Sequence, residues 1–275
     1  MGRHVMECLG LSRVVIENGK VVEVTAPRIK YCPLFASRRG MGEVTEEAIR
    51  ENIQYRIDNF GMCTDDRQVM MRNFLNFGIS ETLSSALLNH KIDCAVIAAD
   101  GCGTAVVTDP PLLQGLGGRI SGICETEPIP KVVKAVGREN MVDPETAEID
   151  MVKGAELAFS KGYGLVALTT PSAEVASELR QKYGDRIVLV GVHTSGMSPE
   201  DAVTAFDNFD IITACASKNI REEARRRPDL LIAGNKVPIY GITEKGKELI
   251  RDKLIEAGKE PTDVNAPQEP PYPLI

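Results

Sequence analysis

The chain has 275 residues and a mass of 29.9 kDa, with 43% hydrophobic and 26% charged residues. Those values exclude a disulfide-stapled miniprotein and wholesale disorder, and they admit one large α/β domain or two modest ones. The formal charge of −7, from 39 acidic against 32 basic residues, repels polyphosphate backbones, so nucleic acid is not expected as a partner. The run Arg225-Arg226-Arg227 follows Glu222-Glu223 in a predicted helix and reads as a solvated face. No stretch approaches the roughly 18 apolar residues of a membrane span, and the first residues lack the apolar run of a signal peptide, so a cytoplasmic protein with no membrane partner is expected.

In chain order, Asn18-Gly19 stands between two β-branched runs and predicts a β-hairpin over 13–24, because both turn positions favour positive φ. Pro27 and the segment Tyr31-Cys32-Pro33-Leu34 then break the pattern and put Cys32 in an extended loop. Thr45 caps a helix that runs to about Asn59, with Ile49, Ile53 and Ile57 on one face and Gly61 as its stop. Thr64 followed by Asp65-Asp66 predicts another helix start, with Cys63 just ahead of it. A helix over 80–89 leads into a strand over 94–99, which Asp100-Gly101 turns either into a second strand, 104–107, or into a ligand loop. Segment 109–130 carries Gly115, Gly117, Gly118, Gly122 and four prolines, and reads as a long irregular connection. Helices near 129–136 and 148–160 follow.

After Gly162 the chain takes up the βα rhythm of a parallel sheet covered by helices on both faces. Strands are predicted over 165–169, 187–192, 211–214 and 230–233, with helices starting near Ser172, Pro199 and Lys218. A strand over 237–240 and a helix over 244–257 close the region. The expected organisation is an N-terminal α+β region (1–140) with the hairpin and cysteine-bearing loops, a C-terminal α/β region (141–260), and a Pro-rich tail (261–275) that is extended or disordered.

In an open parallel sheet, ligands bind beyond the carboxyl ends of the strands. The residues there are Thr169 and Thr170, then His193-Thr194-Ser195-Gly196, then Cys215-Ala216-Ser217-Lys218-Asn219, then Gly234-Asn235-Lys236. Such a rim of hydroxyls, amides and lysines beside helix N-termini suits a small phosphorylated or carboxylated ligand. Cys215, His193 and Lys218 are the catalytic candidates, and Thr169, Thr170, Thr194, Ser195, Ser217, Asn219 and Asn235 the ligand-binding ones. The plainer alternative is that these hydroxyls are helix caps and Cys215 a small packed side chain. Arg119, beside three glycines, is a further candidate anion clamp. No Walker sequence occurs, and Gly101-Cys102-Gly103 lacks the third glycine of a dinucleotide fingerprint. Of the three histidines, His4 lies near the start and His90 ends a helix, so only His193 occupies a functional position.

The seven cysteines are an odd number without any Cys-x-x-Cys pair, which favours reduced thiols or metal ligands drawn from distant segments over disulfides. Cys32 and Cys63, in predicted loops, together with Cys8, Cys102 or Cys124, are candidate ligands of an iron–sulfur cluster or zinc. Scattered cysteines that simply pack as small apolar groups are the competing reading.

Tyr31-Cys32-Pro33-Leu34-Phe35, Phe60-Gly61-Met62-Cys63-Thr64, the segment from Asp93 to Gly101, the segment from Val107 to Gly122, and Cys215-Ala216-Ser217-Lys218-Asn219-Ile220-Arg221-Glu222 together resemble the methanogenesis marker protein 8 family. The resemblance spans nearly the whole chain. It implies an archaeal methanogen, an anaerobic cytoplasm, and a part in the maturation, activation or assembly of methyl-coenzyme M reductase or its nickel cofactor. The reductase or its assembly factors are then the implied partners, and the anaerobic setting favours the iron–sulfur reading of the thiols. The resemblance implies no particular reaction.

Overall fold

The computed structural model describes residues 2–40, 42–72, 77–263 and 266–275. Two compact units divide the chain: unit 1 holds Met1–Arg28 and Val44–Val166, and unit 2 holds Ile29–Glu43 and Ala167–Ile275. The protein is a mixed α/β structure. No helix of the described residues is long and apolar enough to cross a membrane.

Unit 1 opens with β1 (Arg3–Glu7), β2 (Arg13–Glu17) and β3 (Lys20–Val24). The hairpin expected at Asn18-Gly19 is present: Glu17 pairs with Lys20, and the two turn residues take φ of 50° and 76°. Helix α1 (Pro33–Arg39) falls in unit 2, and α2 (Glu46–Phe60) returns the chain to unit 1. Thr45 Oγ1 accepts the Ala48 N–H at 3.1 Å, and the four-residue spacing of Ile49, Ile53 and Ile57 buries all three. The other face of α2 holds β3 by polar contacts, Arg50 Nη1 donating to the Val21 carbonyl at 2.5 Å and Gln54 Oε1 accepting the Val21 N–H at 3.2 Å. Gly61 ends the helix at φ 65°, where a Cβ would stand 2.3 Å from the Asp66 carbonyl, so only glycine fits.

The helix start expected at Thr64 does not form. Residues 62–66 make turns instead, with Thr64 Oγ1 donating to the Gly61 carbonyl at 2.8 Å and accepting the Asp66 N–H at 3.2 Å. The Thr64 hydroxyl is spent closing this turn because Arg67, just beyond it, is drawn inward to a buried carboxylate, which an outward-running helix would forbid. Helix α3 (Ile79–Leu88) then precedes the antiparallel hairpin of β4 (Cys94–Ala99) and β5 (Gly103–Val107), so Asp100-Gly101 is a strand-connecting turn. The long irregular connection expected over 109–130 contains α4 (Pro110–Gly117) and β6 (Gly122–Glu125). Pro110 and Pro111 occupy the first positions of α4, where no N–H is needed, and Asp109 Oδ1 caps the Leu112 N–H at 2.7 Å. Gly115 lies on the helix face against which the Val69 carbonyl oxygen packs, 2.0 Å from where a Cβ would be, so this glycine serves backbone approach. Strand β6 adds to β1, giving the antiparallel order β3-β2-β1-β6. Helices α5 (Pro130–Val136) and α6 (Met151–Ser160) complete the unit.

Unit 2 alternates β7 (Val166–Thr170), α7 (Ala173–Tyr183), β8 (Ile187–Gly191), α8 (Pro199–Asn208), β9 (Ile211–Thr213) and α9 (Lys218–Arg226). It then adds β10 (Leu231–Ala233), β11 (Ile239–Gly241) and α10 (Glu244–Glu256). The strands run in the order β10-β11-β9-β8-β7, with β8 and β9 parallel. The sheet is not parallel throughout, because β11 is antiparallel to both β9 and β10. The connection between β10 and β11 is too short for a parallel crossover, so the chain doubles back as a hairpin. At the amino edge Asp210 takes the Arg180 guanidinium at 2.6 Å, the Leu189 N–H at 2.7 Å and the Thr243 hydroxyl at 2.6 Å.

The described tail residues, 266–275, are extended as expected but fixed to unit 2. The Tyr272 and Tyr31 rings stack with centroids 4.8 Å apart, and the Tyr272 carbonyl takes the N–H groups of Lys30 and Tyr31 at 2.8 and 3.0 Å. Ile275 closes the segment, its N–H donating to the Ala216 carbonyl at 3.0 Å and its oxygen accepting the Lys218 N–H at 2.9 Å.

Candidate functional site

The parallel strands of unit 2 bring their carboxyl ends together. The last residue of β7, Thr170, accepts through its carbonyl the N–H of Val192 just past β8, at 3.2 Å, and β8 pairs in register with β9. Three helices start from loops on this edge, each capped by the serine hydroxyl the sequence places there: Ser172 to the Val175 N–H, Ser198 to Asp201 and Ser217 to Ile220.

Several predicted ligand-binding residues build the rim itself. Thr194 Oγ1 donates to the Thr213 carbonyl at 2.6 Å, Ser195 Oγ accepts the Ala216 N–H at 3.0 Å, and Asn219 Nδ2 donates to the Met197 carbonyl at 2.8 Å. These three bonds stitch the loop after β8 to the loop after β9. Thr170 is buried and its hydroxyl takes the Ser172 N–H, while Thr169 is half-buried within β7. Asn235 Nδ2 donates to the Pro267 carbonyl in the tail at 3.2 Å.

The stitched loops hold two non-glycine residues in the left-handed region, His193 at φ 54° and Cys215 at φ 41°. Each such conformation costs on the order of 1 to 3 kcal/mol and persists only where surrounding bonds impose it. The strained pair is the imidazole and the thiol. His193 is solvent-exposed, yet the protein crowded around it pushes its pKa below the usual histidine value, so the ring is neutral near pH 7. Among the described residues it makes no hydrogen bond, which leaves a neutral imidazole free to accept a proton. Cys215 is half-exposed with its sulfur 3.4 Å from Thr213 Oγ1. Lys218 extends along α9 to Glu222, 3.7 Å away, and is well exposed.

Sequence reasoning missed one residue here. Arg221, in the first turns of α9, is 2% exposed and lies under the rim. Its Nη2 donates to the Cys215 carbonyl at 2.9 Å and the Lys236 carbonyl at 3.2 Å, and its Nη1 to Gln268 Oε1 in the tail at 3.2 Å. Burial lowers its pKa, and Nε is buried without a partner. The available signal was a cation near a helix N-terminus, where the dipole disfavours it, adjacent to the core residue Ile220.

The candidate metal ligands come from both units. Cys32 is in unit 2, and Cys8, Cys63 and Cys102 are in unit 1. Among the described residues no three of His, Cys, Asp and Glu are placed to hold a metal ion. Burial pushes the Cys8 and Cys102 thiols up to about 12 and raises those of Cys32 and Cys63, so all four are protonated near pH 7. Cys63 contributes its backbone instead: at φ 60° its N–H meets Asp100 Oδ2 at 2.7 Å. Asp100 also receives Arg67 Nε at 2.9 Å, and both side chains are 0% exposed. Beside this pair His4 Nδ1 and the Gly101 N–H converge on Thr126 Oγ1, at 2.7 and 2.8 Å. Arg119, also in unit 1, donates to Gln68 Oε1 at 2.8 Å and lies 3.6 Å from the Phe60 ring centroid. A surface groove of about 560 Å³ in unit 1, bordered by His90, Asp93 and Tyr163, is lined by none of the predicted site residues.

Residues 4–255 match the family described as uncharacterized proteins conserved in archaea, DUF2099, and the chain belongs to that family. It is 43% identical over 264 residues to the uncharacterized protein MJ0054 of Methanocaldococcus jannaschii, covering 94% of this chain and 93% of that protein. A chain of the xenon-derivatized F420-reducing [NiFe] hydrogenase complex from Methanosarcina barkeri aligns over 68% of this chain and 75% of its own, with 13% identity and a TM-score of 0.35.

Proposed function

We propose, with membership of that archaeal family as the premise, that the protein is an accessory factor of methanogenesis that works by holding a small phosphorylated or carboxylated ligand at the carboxyl edge of unit 2. The sequence resemblance supplies the first half of this reading, in which the factor serves the maturation, activation or assembly of methyl-coenzyme M reductase or its nickel cofactor. One observation carries the second half. The strained residues His193 and Cys215 stand at neighbouring strand ends, on loops locked to each other by Thr194, Ser195 and Asn219. The neutral His193 ring is the proton acceptor of that rim and the half-exposed Cys215 its nucleophile. Burial holds the thiols of Cys8, Cys63 and Cys102 protonated, whereas the rim presents a half-exposed thiol at the strand ends, which supports the rim as the location of nucleophilic chemistry.

Calorimetric titration with inorganic phosphate and with succinate tests the rim. Saturable binding that His193→Ala weakens by about tenfold, the loss expected for one hydrogen bond to a charged group, supports it. Absence of saturable binding to either anion removes it. Disrupting the gene in a methanogen tests the accessory role: the active fraction of the reductase falls while its polypeptide level holds, and an unchanged active fraction would sink that half of the reading.

A further inference from the structure

Arg221 differs from the buried guanidinium of Arg67 in what it faces. Its bonds go to two backbone carbonyls and one side-chain amide oxygen, and no carboxylate among the described residues pairs with it. A cation removed from water and given only neutral acceptors is left without charge compensation. The tail supplies the amide oxygen, and it engages the neighbouring donors of the rim as well. The Pro267 carbonyl takes Asn235 Nδ2 at 3.2 Å, Glu269 sits 3.4 Å from Lys236 Nζ, and Ile275 O takes the Lys218 N–H at 2.9 Å at the start of α9. Backbone carbonyls, an amide oxygen and a carboxylate are thus laid along donors that an anionic ligand would otherwise meet.

We infer that Arg221 is the anchor of an oxyanion site at the N-terminal end of α9, and that tail residues 267–275 stand in for the oxyanion there until it displaces them. The inference rests on the anion-binding reading of the rim and deepens it, naming the anchoring residue and the segment that regulates access. Gln268 Oε1 holds Nη1 of Arg221, the guanidinium nitrogen next in reach once the tail leaves. An ionised oxygen in that position bonds a guanidinium about twice as strongly as a neutral one, which gives the ligand its advantage over the tail. The unpartnered Nε supports the same assignment, because the guanidinium has donor capacity that the resting structure does not use.

Gln268 is exposed, so its substitution leaves the core intact. Full-length protein and its Gln268→Ala and Gln268→Glu variants are titrated calorimetrically with inorganic phosphate and, in parallel, with succinate. Removing the amide opens Nη1, and Gln268→Ala is expected to tighten binding by about three- to tenfold. Gln268→Glu places an internal carboxylate on Arg221 and is expected to weaken binding by a similar factor. The tighter of the two anions identifies the oxyanion as phosphate or carboxylate. Saturating anion should also speed hydrogen exchange at the Tyr272 and Ile275 amides of the full-length protein. Equal affinities in all three proteins, or tail exchange unchanged at saturation, overturn the inference while the rim reading stands. No saturable binding in any of the three overturns both.

Discussion

Each unit of this protein buries an arginine, and the two are satisfied in opposite ways. In unit 1 Arg67 and Asp100 meet at 2.9 Å with both side chains wholly inside, and the remaining acceptors around Arg67 are the Gln68 and Leu116 carbonyls. In unit 2 Arg221 is as deeply buried but faces only neutral oxygens, one of them lent by the tail. The first arrangement is closed. Every charge has its counter-charge within the fold, and such pairs act as fixed points of a core. The second is open to a charged partner. Burial of a cation alone therefore says little about function, and the identity of its acceptors is what separates scaffold from binding site.

That contrast can be broken most forcefully at the closed pair. Asp100→Ala strands Arg67 as a buried, uncompensated charge and should destabilise unit 1 by about 3 to 5 kcal/mol, read as a lower denaturation midpoint. Replacing both partners, Arg67→Met with Asp100→Leu, should recover most of that loss. If it recovers nothing, the pair is doing more than balancing charge. The matching change in unit 2, Arg221→Met, removes hydrogen bonds without leaving a charge behind, and should cost only about 1 to 3 kcal/mol. A cost equal to that of Asp100→Ala would erase the distinction drawn between the two arginines.

A smaller effect follows from His4, which is fully buried beside the closed pair with Nε2 unpartnered. Burial lowers its pKa despite the opposing pull of Asp100 and Glu127. The unfolded chain binds a proton near pH 6.5, while the folded chain resists it until lower pH. Stability contributed by the neutral ring is therefore full above about pH 6.5 and declines as pH falls from there towards the folded pKa. His193 shifts in the same direction and adds to the slope. Melting temperature should fall between pH 6.5 and 5, and His4→Gln should flatten the curve more than His193→Gln, since His4 is the fully enclosed ring. The smallest expected effect is Tyr272→Ala. Losing its stack on Tyr31 should cost about 0.5 to 1.5 kcal/mol, visible as faster hydrogen exchange at Tyr31 and Lys30 with little change in global unfolding.

Much of the fold was legible because its signals are local. The Asn18-Gly19 turn, the Thr45 cap, the isoleucine spacing of α2 and the βα rhythm after Gly162 each operate within a few residues, and each element stands where that signal puts it. The failures share a physical cause. Thr64 has the chemistry of a helix cap, but Arg67 is claimed by a carboxylate 33 residues away in sequence, and no window contains both. Gly115, in its glycine-rich segment, resembled part of a loop because its purpose, letting the Val69 backbone approach, is invisible without the fold. At the rim, hydroxyls and amides were rightly located at the strand ends, but which of them hold loops together depends on cross-loop geometry, as Thr194, Ser195 and Asn219 show. Arg221 was overlooked because a charged residue in a helix is ordinarily assigned to solvent.

The membership of residues 29–43 in unit 2 has a consequence for how the chain is made. During synthesis this early segment emerges well before Ala167, and its tyrosine must wait for Tyr272, the ring it will stack upon, to leave the ribosome. At roughly 5 to 20 residues per second the wait is on the order of ten seconds or more. Unit 1 receives its last residue, Val166, long before then, while Tyr31 and Cys32 still lack the later part of unit 2. The thiol that ends up buried therefore has to wait for its final surroundings throughout that interval, and thiol oxidation before then would add polar oxygen atoms to a side chain destined for the interior.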